Sequence, residues 1–214
     1  MARVIYLYRA DFSTNCERVS LALAHKGLET ESVVIDYEDR SQVEEVSGQG
    51  LVPVIDDDGE VVADSLRILR YLEDRYPDPP LFPAEPTRRA ELDVFLEWFS
   101  GAWKNAPDAI EMELELVGEL EHEHADPQLV EAEAAKMRAS LDLFESLLGE
   151  RDFLMRDTVS AADFAAYPFL KYGLGREEED DELYHRILET HLEFGDDHPR
   201  LRAWAERIAE LPQV

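Results

Sequence analysis

A proline stands among apolar residues in the segment Gly-Leu-Val-Pro-Val-Ile at positions 50–55. Proline lacks a backbone N–H, so within sheets it is confined to edges, bulges and the first residue of a strand. The segment therefore predicts a strand whose entrance at Pro53 makes no ladder hydrogen bond. Because an X-Pro bond is the one peptide bond that adopts cis at low cost, a cis Val52–Pro53 bond would turn the Val52 N–H and C=O outward. These groups would then face an extended, peptide-like ligand.

A carboxylate and a hydroxyl follow in Asp64 and Ser65. They precede a helical run over Leu66–Arg75, and the unpaired N–H groups and the dipole at a helix N-terminus favour an anionic ligand group. Together with residues 50–55, they predict a peptide-like ligand held by its backbone and by both of its charged ends.

The apolar periodicity changes once along the chain. Up to Asp64, short apolar runs predict strands, and Cys16–His25 has the spacing of a helix. The predicted strands are Val4–Tyr8, Ser32–Ile35, Val52–Ile55 and Val61–Ala63. The order strand, helix, strand, two close strands and helix predicts a thioredoxin-like mixed sheet, so the fold class is α/β followed by an all-α part.

Five prolines between residues 77 and 86 separate this half from the rest. Repeated prolines forbid a continuing helix and form a rigid linker. We therefore predict a thioredoxin-like ligand-binding domain over 1–77, a linker over 78–86 and an all-helical bundle domain over 87–214. The predicted helices are Thr87–Asn105, Asp108–Glu123, Gln128–Leu148, Ser160–Tyr172, a stretch around Leu183–Leu192 and Pro199–Leu211. The charge run Arg176–Glu182 predicts a solvated loop or a fraying helix end.

A capping signal opens one of these helices. Ser160 and Asp163 have the spacing at which a hydroxyl and a carboxylate satisfy the free N–H groups of a helix start reciprocally. The apolar residues that follow predict a helix in the core of the second domain. Asp163 is therefore interpreted as structural rather than catalytic.

Charge and cysteine content exclude several classes of function. The chain of 214 residues has 49 acidic and 21 basic residues, a net charge of −28. Phosphate contacts need a basic face, so no nucleic-acid partner is expected. No apolar run approaches the roughly 18 residues of a membrane span, and the chain opens on a strand pattern, so neither a membrane partner nor a signal peptide is expected. The single cysteine, Cys16, excludes an internal disulfide and suits a reducing cytoplasm.

Several segments have the order and spacing of a known family. They are Val4–Tyr8, Ser13–Val19, Ala22–Leu28, Gly50–Val54, Asp64–Ser65 and Tyr71–Pro77. They resemble the cytosolic glutathione transferases, most closely the Ser-containing and omega-like branches, and the similarity continues more loosely over the rest of the chain. The resemblance implies a homodimeric transferase with glutathione, or a related thiol, as co-substrate, an apolar electrophilic small molecule as its second substrate, and no tightly bound cofactor.

The reactive position of a thioredoxin-like fold lies at the start of its first helix, where this chain has Ser13 and Cys16 at i and i+3. Lowering the pKa of a thiol by roughly two units from about 8.5 requires roughly 2.7 kcal/mol. A hydrogen bond to a charged acceptor contributes about 1.5–3 kcal/mol, and a helix N-terminus about 0.3–1 kcal/mol more. A hydroxyl at this position therefore suffices without a metal or a general base. The resemblance to Ser-type transferases assigns this catalytic role to Ser13.

Three alternatives stay open at this position. Tyr8, near the end of the first strand, could donate instead, as tyrosine does in other branches. Cys16 could be a nucleophile that forms a mixed disulfide with glutathione, although a free cysteine more often packs as a small hydrophobe. Ser13 could also be only the N-cap of its helix.

The resemblance also assigns glutathione-binding residues: Ser13, Val52, Pro53, Asp64 and Ser65, with Gln49 and Arg40 as further candidates. Many relatives use a basic residue for the glycyl carboxylate, but no lysine lies between Lys26 and Pro53, so Arg40 or Gln49 would substitute. The family commonly has Glu-Ser where this chain has Asp64 and Ser65, which shortens the carboxylate by one methylene.

Several aromatic residues fall where the family lines its pocket for an apolar co-substrate. The predicted pocket residues are Phe12, Phe99, Trp103 and Met112, with Phe95 and Trp98 as further candidates. Tryptophans at helical spacing are nevertheless more often core residues. His122 and His124 lie two residues apart and face opposite sides of a helix, so they predict no shared metal.

A non-catalytic protein on the same fold is the alternative from another class of function. Tyr71–Pro83 also resembles the stringent starvation proteins, which bind RNA polymerase. The presence of the thiol-site residues favours the enzyme.

Overall fold

The computed structural model describes residues 3–119 and 125–214, so His122 and His124 lie outside the described residues. The first half contains β1 (Ile5–Arg9), α1 (Thr14–His25), β2 (Thr30–Val34), α2 (Ser41–Ser47), β3 (Val54–Asp57), β4 (Glu60–Ala63) and α3 (Ser65–Arg75). The sheet order is β2-β1-β3-β4, with β1 parallel to β2 and antiparallel to β3, which is antiparallel to β4. The predicted thioredoxin-like sheet is confirmed. The sequence did not predict α2, a two-turn helix that buries a single side chain, Val43.

Helices are the only regular elements among the described residues of the second half. It contains α4 (Pro86–Trp98), α5 (Asn105–Glu119), α6 (Pro127–Leu148), α7 (Ala161–Leu170), α8 (Leu183–His191) and α9 (Pro199–Ala209). A π-helical turn over Phe99–Trp103 divides the helix that was predicted to run unbroken over Thr87–Asn105. A short 3₁₀ turn, Lys171–Leu174, extends α7. The all-helical second half is confirmed, while the division at residues 77 and 87 stays a prediction.

The capping box that opens α7 is present and is larger than predicted. Asp163 has no exposed surface, and its Oδ2 accepts from the Ser160 N–H at 2.8 Å and from the Ser160 hydroxyl at 2.9 Å. Its Oδ1 accepts from the Leu154 N–H and from Trp204 Nε1, both at 2.9 Å. Burial raises the pKa of Asp163 although all these hydrogen bonds favour the charged form. The carboxylate therefore joins α7, α9 and the preceding loop.

A buried arginine connects the two halves beneath the start of α1. Arg18 is 1% exposed and donates from Nε to the Ala165 carbonyl in α7 at 2.9 Å. Its Nη1 donates to Asn15 Oδ1 and to the Ser65 hydroxyl, each at 3.2 Å. Its guanidinium also lies 4.6 Å from the centroid of the Phe169 ring. Burial lowers the pKa of Arg18 to about 10. These contacts hold the N-termini of α1 and α3 against the helical half.

Candidate active site

Ser13 is the N-cap of α1. Its backbone is extended, and its hydroxyl oxygen accepts from the Cys16 N–H at 3.3 Å. The side chain is half-buried and borders two cavities. Because a hydroxyl has one proton to donate and two lone pairs, accepting from Cys16 leaves the Ser13 O–H free for a ligand. The N-cap role and the donor role are therefore compatible.

The two rivals for the thiol-binding role are Cys16, which is buried, and Tyr8, which lines neither cavity that Ser13 borders. Cys16 is 3% exposed, and burial raises the pKa of its thiol. Since the thiolate is the nucleophile, a raised pKa makes Cys16 a poor one. Burial also raises the pKa of Tyr8, which packs with the small cluster around Val43 and Val54. The structure supports the packing interpretation of both side chains.

The edge predicted to bind a peptide-like ligand lies just before β3. The Val52–Pro53 bond is cis, and β3 begins at Val54, so Val52 makes no ladder pair within the sheet. Asp64 has φ 76° and ψ 123°, a conformation rare for a residue with a side chain, and its Oδ1 accepts from the Arg67 N–H at 3.0 Å. Backbone outliers of this kind cluster at ligand sites. Asp64 stays exposed, while Ser65 is 5% exposed and contacts Arg18.

The two candidates for the glycyl carboxylate differ in their freedom to bind. Gln49 is committed to its own loop, since its Nε2 donates to the Leu51 carbonyl at 2.8 Å and its Oε1 accepts from the Leu51 N–H at 2.6 Å. Arg40 donates only from Nε, to the Tyr37 carbonyl at 3.1 Å, and its guanidinium lies 4.6 Å from the Tyr37 ring centroid. Within the described residues its two terminal nitrogens have no partner, so they are free to donate whereas the Gln49 amide is not.

Two cavities meet at Phe12 and Ser13. The α7 cavity has a volume of about 630 Å³ and is also lined by Cys16, Tyr167, Lys171 and Arg176. The α8 cavity has a volume of about 540 Å³ and is also lined by Lys104, Asp108, Glu111, Glu182, Tyr184 and His185. Phe12 is 47% exposed, has φ 58° and lines both cavities. Both cavities therefore offer space next to the free O–H of Ser13.

Charged side chains dominate the α8 cavity. Burial, followed by the repulsion of Glu115 and Asp108, raises the pKa of Glu111 to about 7. Burial, followed by repulsion from Arg18, lowers the pKa of Lys104. The wall of this cavity is therefore polar where the resemblance implies an apolar one.

Most of the predicted pocket aromatics lie elsewhere. Phe99 has no exposed surface, and its ring stacks on Trp103 with centroids 4.5 Å apart. Trp103 is 6% exposed and donates from Nε1 to the Ser140 hydroxyl at 2.9 Å. Phe99 is a core residue, so its assignment to the pocket is corrected, and Trp103 lines a different cavity, beside Trp98 and away from Ser13. Met112 is 63% exposed but lines neither cavity at Ser13, and Phe12 is the one predicted pocket residue that does.

The sequence did not predict a pair formed by His185, which lines the α8 cavity, and Asp180, which lines the α7 cavity. His185 and Asp180 are each 3% exposed, and His185 Nδ1 is 2.8 Å from Asp180 Oδ2. The Tyr172 ring stacks on the imidazole with centroids 4.5 Å apart. Asp180 belongs to the charge run predicted as a solvated loop, which is wrong for this residue. The run of acidic residues gives no signal that one of them turns inward.

No group of His, Cys, Asp and Glu able to hold a metal ion occurs within the part of the chain that the structure describes. Among the same residues, no helix is both long and apolar enough to cross a bilayer.

The fold is therefore a thioredoxin-like domain with a hydroxyl at the start of its first helix, followed by a helical domain. Residues 7–80 match the family model of the glutathione S-transferase N-terminal domain, and residues 108–212 match that of the glutathione S-transferase C-terminal domain. The chain belongs to the glutathione S-transferase family.

The similar proteins agree with this assignment. A probable maleylacetoacetate isomerase from Caenorhabditis elegans is 37% identical over 91 residues, covering 41% of this chain and 41% of that protein. Glutathione S-transferase F10 from Arabidopsis thaliana is 27% identical over 179 residues, covering 80% of this chain and 82% of that protein. The crystal structure of the beta-etherase LigF from Sphingobium sp. has a TM-score of 0.77 at 24% identity, over 98% of this chain and 96% of that one, which shows a shared fold. The chain thus spans about two-fifths of the length of the maleylacetoacetate isomerase that it matches.

Proposed function

We propose that this chain is a glutathione transferase in which the Ser13 hydroxyl donates a hydrogen bond to the glutathione thiolate. The observation that carries the proposal is the N-cap geometry of Ser13, whose oxygen accepts from the Cys16 N–H while its own proton stays free. The α1 dipole favours negative charge at the same point. Together, these interactions lower the pKa of the bound thiol and increase the population of the nucleophilic form.

The proposed binding mode uses the exposed edge before β3. The cysteinyl backbone of glutathione pairs with the N–H and C=O of Val52, beside Pro53. The γ-glutamyl end lies at the N-terminus of α3, where Ser65 and the free N–H groups take its carboxylate and Asp64 takes its amino group. The glycyl carboxylate pairs with Arg40, whose terminal nitrogens are available, in preference to Gln49.

The second substrate is proposed to be a small electrophile with polar groups, because Ser13 borders cavities whose walls carry charged side chains. We further propose a homodimer and a cytoplasmic location. The first rests on the family, and the second on a single, buried cysteine in a chain that carries no disulfide.

Calorimetric titration with reduced glutathione, paired with ultraviolet detection of the thiolate, tests this function. The expected result is saturable binding and a thiolate signal at a pH where free glutathione is mostly protonated. S-methylglutathione, which cannot ionise at sulfur, is the matched control and should bind without that signal. Absence of heat and of thermal stabilisation at millimolar glutathione would overturn the proposal.

A further inference from the structure

The imidazole of His185 has one committed and one uncommitted nitrogen. Nδ1 lies 2.9 Å from Asp180 Oδ1 and 2.8 Å from Oδ2. A carboxylate oxygen can only accept, so Nδ1 carries a proton. Nε2 has no hydrogen-bond partner among the described residues, and His185 lines the α8 cavity that Ser13 also borders. Nε2 is therefore the ring atom left to meet a ligand there.

The surroundings hold this ring in one orientation. Asp180 also receives the Tyr172 hydroxyl at 3.4 Å and the Glu182 N–H at 3.3 Å, which fixes its carboxylate. Tyr172 stacks on one face of the imidazole, and Tyr184 lies against it edge to face with centroids 6.3 Å apart. A carboxylate at Nδ1 stabilises the imidazolium and orients Nε2, as it does in general acid–base sites.

We infer that His185, oriented by Asp180, donates a proton to the electrophile when the glutathione sulfur adds to it. This inference rests on the proposed function. The sulfur electron pair forms the new C–S bond, and the displaced pair moves to an oxygen of the electrophile, such as the carbonyl oxygen of a conjugated enone. The Nε2 proton of the imidazolium neutralises that oxygen, and the proton released when the glutathione thiol ionises restores the imidazolium, so the cycle balances.

The charges around the ring suit this role. The α8 cavity presents the carboxylates of Asp108, Glu111 and Glu182 to His185, with Lys104 as the cation among them. The substrate class that follows is an electrophile that develops charge on oxygen during addition. An aryl halide, which expels halide and needs no proton, would gain nothing from His185.

The test compares two electrophiles in wild type, His185→Gln and Asp180→Asn. Methyl vinyl ketone needs a proton during addition, whereas chlorodinitrobenzene loses chloride. We expect kcat for the ketone to fall roughly 100-fold or more in His185→Gln, the range of general acid catalysis, with a smaller fall in Asp180→Asn. Turnover of chlorodinitrobenzene and the glutathione thiolate signal should change little in either variant. Added imidazole should partly restore the ketone reaction in His185→Ala.

His191→Gln and Asp181→Asn are the matched controls, since the first lies on the same helix and the second beside Asp180, and neither borders the cavities at Ser13. Equal losses for both electrophiles, or no loss for the ketone, would overturn the inference. So would a wild type that ionises glutathione but does not add it to the ketone. Failure to ionise glutathione in wild type would instead refute the proposed function, so the two failures are distinguishable.

Discussion

The Arg18 guanidinium donates to the Ser65 hydroxyl at 3.2 Å while the same side chain donates to the Ala165 carbonyl of α7 at 2.9 Å. One side chain therefore connects the start of α3, where the γ-glutamyl end of glutathione is proposed to bind, with the helical half. Its Nη2 is buried without a partner within the described residues. The ligand-binding edge and the helical domain thus depend on the same buried cation.

Replacing this cation should affect stability and binding together. We expect Arg18→Gln to lower the free energy of unfolding by about 3 kcal/mol, because the Ala165 carbonyl and the Ser65 hydroxyl lose a charged donor. Glutathione affinity should fall in the protein that remains folded. Urea denaturation and calorimetry measure the two effects. Arg88→Gln, at an exposed arginine on α4, is the control, and equal effects in both variants would contradict the prediction.

The roles of Ser13 and Cys16 can be separated by substitution. Ser13→Ala should keep the fold and bind glutathione, yet lose most conjugating activity, because the donor to the thiolate is removed. Cys16→Ala should have little effect on activity, since its thiol is buried with a raised pKa. Conjugation rates and thiolate absorbance are the measurements. An inactive Cys16→Ala, together with a glutathione adduct on wild type by mass spectrometry, would identify a Cys-type thiol transferase.

Arg40 and Gln49 should differ in their effect on glutathione binding. Arg40→Ala should weaken binding by about 1.5–3 kcal/mol, the range for a hydrogen bond to a charged group. Gln49→Ala should have a smaller effect, which acts through the Leu51 loop that its amide holds. Titration with glutathione and with its glycyl amide measures this directly. A larger loss in Gln49→Ala would reverse the proposed assignment.

Asp163 should matter for folding and not for the ligand. Asp163→Ala leaves the N–H groups of Leu154 and Ser160 and the Trp204 Nε1 buried without an acceptor. At about 1–3 kcal/mol for each buried unsatisfied group, we expect the free energy of unfolding to fall by at least about 3 kcal/mol. Glutathione affinity of the folded fraction should not change. An unaltered melting temperature would show that this carboxylate does not hold α7.

Glu111 makes stability depend on pH. Its pKa in the folded protein is raised to about 7, mainly by burial. The contribution of Glu111 to the free energy of unfolding is therefore fully present below its ordinary pKa and is lost as pH rises through about 7. At about pH 8, Glu111→Gln should therefore be more stable than wild type by about 1 kcal/mol, a difference kept small because the side chain is only half-buried. Near pH 4, the two proteins should have equal free energies of unfolding. Urea denaturation across this range is the measurement. Glu206→Gln, on the exposed face of α9, should show no such difference, and a parallel pH dependence in wild type and Glu111→Gln would refute the assignment.

The chemistry of short segments was enough to predict several structural features from the sequence alone. Proline at 53 marked the unpaired edge before β3 because it has no N–H to donate, and Ser160 with Asp163 marked the start of α7 because helix ends need side-chain partners. The succession of strands and helices along the chain and the helical second half followed from apolar periodicity, and the similarity of motif spacing indicated the family. These features need only residues near each other in the chain or a repeated pattern.

Only the tertiary structure decided which helix faces and side chains pack against each other. A helical pattern cannot distinguish a helix face in the core from one that lines a cavity. The resemblance assigns Phe99 and Trp103 to a pocket, but packing buries both side chains. Asp180 looked solvated in a run of charges, but the fold turns it inward onto His185. Arg40 has free terminal nitrogens and the Gln49 amide is bonded to Leu51 because of side-chain contacts that sequence spacing does not predict. Burial and pairing between distant residues set these outcomes, because they are properties of the packed chain and not of any local segment.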